Sequence, residues 1–159
     1  MHRLPRRALL LPLLLPALPV QAQPAPRGAP PSPLALPGGM SPLRDGAYRL
    51  AFRVGETALP AGTAPTLAEI GRRLAAASAT GTGRITVEGH ASGPVGDVSA
   101  ARRLSLARAQ AVRDALVAGG LDETRVDVRA LGRTNAALDA TDILPPGVTR
   151  TGDRRPGRS

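Results

Sequence analysis

The sequence predicts an α/β domain in two layers, strand–helix–strand–helix–strand, with both helices on one face of a small mixed sheet. Its final strand is expected to be short or missing. Three observations carry this. Apolar residues alternate with period two from Tyr48, recur at helical spacing in two longer stretches, and Gly-rich pieces separate the elements. An alternation of this kind places parallel strands beside right-handed crossovers. The 159 residues leave room for one domain plus appendages.

The chain opens with a short basic start, Met1 to Arg7, an apolar run from Ala8 to Val20, and the small-x-small sequence Val20-Gln21-Ala22. This is the pattern of an export signal ending at residue 22. The run is too short to span a bilayer and is broken by Pro12, Pro16 and Pro19, so no transmembrane segment is expected in the mature chain. Residues 23–45 carry prolines and glycines at close intervals and read as a disordered linker. The domain is expected at residues 46–155, with a tail at 156–159.

Within the domain, Tyr48, Leu50, Phe52 and Val54 fall on one side of a strand, with Arg49, Ala51 and Arg53 on the other. Thr63 offers an N-cap and Pro65 sits in the first turn. Leu67, Ile70, Gly71, Leu74 and Ala77 then recur at helical spacing. A Gly81-Thr82-Gly83 turn leads to a strand at Arg84–Glu88, with Ile85 and Val87 facing the core. Asp97 or Ser99 caps a second helix that runs to about Ala118, where Gly119-Gly120 stops it. Val126, Val128 and Ala130 mark a third strand ending at Gly132. The tail from Arg133 onward carries no clear periodicity.

Charge and composition exclude several functions. The formal charge is +9, but every basic residue is Arg and three of them lie in the leader. Such Arg, Ala, Gly and Pro bias follows from a GC-rich gene. With one Tyr and one Phe, no stacking platform for nucleic acid can be built. The chain has no cysteine, hence no disulfide and no lipid attached through a cysteine. His90 is the one histidine beyond the leader, too little for a metal site. A Ser92–His90 nucleophile pair has no third group and no oxyanion hole, so no enzymatic activity and no cofactor are expected.

Gly89 and His90 end an apolar strand, a glycine-bearing loop follows, and Leu104, Ser105, Arg108 and Ala109 lie on the second helix. This arrangement resembles the OmpA-like C-terminal domain, a peptidoglycan-binding module of the periplasm, whose pattern is GHTD, a short loop, Asn, then LSxxRA. The resemblance implies noncovalent binding of the peptidoglycan stem peptide in the envelope of a Gram-negative bacterium, with envelope proteins as further partners. It implies that Arg108 grips the carboxylate of the ligand's diamino acid. Ser92 stands where the family has the Asp that pairs with the ligand ammonium, and Ala101 where it has Asn. The loop is about one residue longer, and Asp97 within it is either a substitute carboxylate or a helix cap. Ligand contacts are therefore expected at His90, Ser92, Asp97 and Arg108, with weakened affinity. The alternative is a degenerate scaffold that has kept the fold for protein–protein or structural roles.

On its helix Arg108 falls inside an apolar stripe of Ala101, Leu104, Ala107, Ala111, Val112 and Ala115. A guanidinium there needs a partner, since an unpaired buried charge costs several kcal/mol. The partner is either the ligand or an internal carboxylate, with Glu88, Asp127 and Asp153 as candidates. Asp153-Arg154-Arg155 also looks like the family's Asn-Arg-Arg motif, which opens the final strand; Pro156 follows at once.

Overall fold

The computed structural model describes residues 33–78, 81, 83–93 and 96–149. The expected signal at 1–22, most of the linker and the Asp153-Arg154-Arg155 motif lie outside these. Five strands form one sheet, β1 (Met40–Pro42), β2 (Tyr48–Ala51), β3 (Ile85–His90), β4 (Val126–Gly132) and β5 (Ala140–Leu144), in the order β1-β2-β5-β3-β4. Helices α1 (Thr63–Ala77) and α2 (Val98–Ala118) connect β2 to β3 and β3 to β4. β3 and β4 pair parallel; the other pairs are antiparallel.

Side-chain alternation assigns the two faces. Leu50, Ile85, Val87, Ile143 and Val126 are buried against Leu67, Ile70, Val112 and Leu116 of the helices. The helices approach closely because α1 has Gly71 where any Cβ would collide with the Leu116 backbone of α2. Arg49, Asp142, Glu88 and Arg129 lie side by side on the other face, in register across β2, β5, β3 and β4. Arg49 holds Asp142 through two bonds of 2.7 and 2.8 Å, and Arg129 donates to Glu88 at 2.8 Å.

Several expectations are corrected. The closing strand is short, as expected, but it lies ahead of the Asp153-Arg154-Arg155 motif, at Ala140–Leu144, inserted between β2 and β3 with all five residues buried. Aspartate is disfavoured in strands; the paired Arg49 on β2 makes Asp142 tolerable in the middle of β5. The linker expected to reach residue 45 contains a strand, because Met40 packs in the core and Met40–Pro42 pairs with β2. β2 ends at Ala51, and Val54 is exposed because the chain turns at Arg53–Glu56. Thr63 is the first helical residue, preceded by Gly62 in the left-handed region (φ 77), and its hydroxyl donates to the Pro60 carbonyl at 2.7 Å.

Candidate functional site

The site lies at the carboxyl ends of the parallel strands β3 and β4, where the chain leaves the sheet and ligands of open α/β sheets commonly bind. Its frame is the contact of α2 with these ends. Gly89 sits against α2 so closely that a Cβ would strike the Ser105 carbonyl. The Ser105 hydroxyl donates to the Arg102 carbonyl at 2.9 Å and accepts from the Gly132 N–H at 3.0 Å, fixing the end of β4. The Ala91 N–H donates to the Gly132 carbonyl at 3.0 Å, tying the loop after β3 to the same point.

Arg108 reaches into this frame from the buried side of α2. That side consists of Ala101, Ser105, Arg108, Ala109, Val112 and Leu116, a stripe turned from the expected one because Leu104 and Ala111 are only half-buried. The Arg108 side chain is 0% exposed. Its Nε donates to the Glu56 carbonyl at 2.7 Å and Nη2 to the Arg53 carbonyl at 2.8 Å. Nη1 donates to the His90 carbonyl at 2.9 Å and to Asp139 Oδ1 at 2.7 Å, and the guanidinium lies 5.1 Å from the Phe52 ring centre. One side chain thus fastens the β2–α1 loop, the end of β3 and the residue before β5 to α2. Its carboxylate partner is Asp139, rather than Glu88 or Asp127; Asp153 lies outside the described residues.

Asp139 is held from three directions. Its carbonyl accepts from the Phe52 N–H at 2.8 Å, and its Oδ1 accepts from the Ser92 N–H at 3.2 Å as well as from Arg108. Burial pushes its carboxyl upward, but the bonds from Ser92 and Arg108 outweigh it and hold the group below the usual carboxylate range. Its side chain keeps 11% exposure. On the outer side of the same loop, Arg133 donates to the carbonyls of Ser92 at 2.8 Å and Gly93 at 3.1 Å.

Of the four expected ligand residues, three are brought together: Ser92, Arg108 and the His90 backbone all meet at Asp139 or its Arg partner. Asp97 stands apart as the N-cap of α2, its side chain accepting from the Ala100 N–H at 2.7 Å. The His90 side chain is fully buried, with Nε2 3.7 Å from Asp142 Oδ2. Asp139 and Arg133 were missed by sequence reasoning. The available signal for Asp139 was a carboxylate placed directly before β5, once Ala140–Leu144 is read as a strand. Among the described residues, no group of three His, Cys, Asp or Glu could hold a metal ion.

A two-layer α/β domain with a guanidinium–carboxylate pair sealed at the ends of its parallel strands is the class that fold and site define. The OmpA family matches residues 51–143, more than half of the chain. The chain belongs to the OmpA family. No curated protein matches it in sequence. Among solved structures it is similar to an outer membrane protein of Borrelia burgdorferi, at 16% identity over 68% of this chain and 96% of that one, with a TM-score of 0.52. It is also similar to the periplasmic domain of Helicobacter pylori MotB, at 13% identity over 64% of this chain and 76% of that one, with a TM-score of 0.51. At such identities the likeness is one of fold.

Proposed function

We infer that this chain is an exported envelope protein whose OmpA domain associates noncovalently with peptidoglycan in the periplasm, through a weakened site and without catalysis. Membership of the OmpA family supports the class of function. The observation that carries the reading is the Asp139 carboxylate, seated on the Ser92 N–H beside Arg108. It restores a negative group where the loop offers only a neutral serine. In this reading Asp139 and the Ser92 loop meet the ammonium of the stem peptide's diamino acid. Arg108 and the His90 carbonyl are positioning groups behind them, and Asp97 serves the helix alone. A carboxylate shared with Arg108 is a weaker acceptor for a ligand than a free one, which is the physical ground for reduced affinity. No helix among the described residues is long and apolar enough to cross a membrane, in keeping with a periplasmic location.

Co-sedimentation with purified peptidoglycan sacculi tests this. Wild-type protein is expected in the pellet, and Asp139→Asn in the supernatant while still folded. A second reading, the degenerate scaffold with structural or protein–protein roles, draws on the internal bonds that enclose Arg108. It is the outcome if wild-type protein fails to sediment with sacculi at low ionic strength.

A further inference from the structure

β4 is an edge strand: it pairs with β3 on one side, and among the described residues nothing pairs with the other. An open edge presents unpaired N–H and C=O groups to any strand that can align with it, and proteins commonly blunt such edges. The opposite edge is blunted, since β1 has three residues and ends in Pro42. β4 has seven residues and no proline. A groove of about 450 Å³ runs beside it, lined on α2 by Leu106, Gln110 and Arg113 and on the strand by Val126 and Val128. Leu106, 39% exposed, is one of few large apolar side chains left open to solvent among the described residues.

We propose that β4 is a self-association edge, pairing antiparallel with β4 of a second copy about a twofold axis through Val128. The strand's own charges select this partner and this register. Val126, Val128 and Ala130 face the helices, and Asp127 and Arg129 face the other side. Residues directly opposite in a continuous sheet must share a face, so the axis passes through a residue. The register shift after Ala130 leaves Val126–Ala130 as the regular part of β4, and 127, 128 and 129 are the positions that keep most of that part paired, 128 all five residues of it. An axis at Asp127 opposes two aspartates, and an axis at Arg129 opposes two arginines; like charges directly opposite are destabilising. An axis at Val128 sets Asp127 against Arg129 of the second copy twice, Val126 against Ala130 twice, and Val128 against itself.

Both charged side chains have the exposure this needs, 45% for Asp127 and 48% for Arg129. Asp127 accepts from Arg84 at both oxygens, and each oxygen keeps a further acceptor position. The contact is isologous, as a closed dimer requires. It also carries the Leu106 and Gln110 side of α2 toward its counterpart across the axis. A charged foreign peptide has less to recognise, because Arg84 and Arg113 in the groove are already paired with Asp127 and Glu123.

Sedimentation velocity on the full chain tests the proposal through a mixing experiment. Asp127→Arg sets arginines against Arg129 of the second copy, and Arg129→Glu sets glutamates against its Asp127. Each variant alone is expected to dimerise at least about tenfold more weakly than wild type. Their equimolar mixture is expected to recover the dimer, because both cross pairs then oppose unlike charges. Wild-type protein that is monomeric at every soluble concentration overturns the proposal, and so do single variants that dimerise like wild type. If circular dichroism shows either variant unfolded, Val128→Cys decides instead. The chain has no other cysteine, so oxidation must link two copies at the axis. Faster linkage than in the exposed control Val54→Cys supports the pairing, and equal or slower linkage overturns it.

Discussion

Replacing Arg108 with alanine should be among the most destabilising single changes in this domain. The substitution removes the partner of Asp139 from a site where the guanidinium side chain is 0% exposed. Breaking a buried pair by deleting one member costs about 3–5 kcal/mol. The Arg53 and Glu56 carbonyls belong to exposed residues and can take water instead. The His90 carbonyl lies in a buried residue, and stranding it adds about 1 kcal/mol. The expected loss is thus about 4–6 kcal/mol against a total stability of about 5–15 kcal/mol for an ordinary domain. Arg108→Lys should fall between, because one ammonium can keep Asp139 but cannot span the three carbonyls with the geometry of a fork. Urea denaturation followed by far-ultraviolet circular dichroism measures both. A loss below about 1 kcal/mol for Arg108→Ala would refute the assignment of Arg108 as the internal fastener. So would a lysine variant no better than alanine.

Acid should act through Asp139. Its carboxyl is held below the usual range, so its contribution to stability is complete above about pH 4 and fades as pH falls through the lower folded value. The stability gap between wild type and Asp139→Asn should therefore be widest near neutrality and close in acid; a gap that persists unchanged in acid would contradict this. Ser105→Ala removes the acceptor for the buried Gly132 N–H and should cost about 1–3 kcal/mol by the same denaturation assay, without changing the helix content. Asp97→Ala should cost about 1 kcal/mol as a lost cap and leave sacculus binding intact; lost binding would return Asp97 to the ligand site.

The sequence showed most clearly what local periodicity and punctuation encode. The extent of α2, the Asp97 cap, the Gly119 stop and the β4 strand follow from residues within a few positions of each other. Motif spacing likewise placed Arg108 beside the loop after β3. What stayed hidden depends on contacts between distant residues. β5 carries an aspartate at its centre, and its pairing with Arg49, 93 positions away, helps that residue lie in a central strand. The partner of Arg108 stayed hidden for the same reason. Asp139 lies 31 positions along the chain, in a segment whose strand had not been recognised. The stripe on α2 was misjudged by part of a turn because its buried side includes Ser105, a polar residue whose partner is the backbone of β4.

The central claim, that the Asp139 corner receives the stem peptide, is tested most directly by titrating isotope-labelled protein with a soluble peptidoglycan fragment that carries the diamino acid. Amide chemical shifts should move at Ser92, Gly93 and Asp139, at the ends of β3 and β4, and the same titration of Asp139→Asn should leave them still. Shifts confined to other faces of the domain would contradict the account. So would shifts at this corner that persist unchanged in Asp139→Asn.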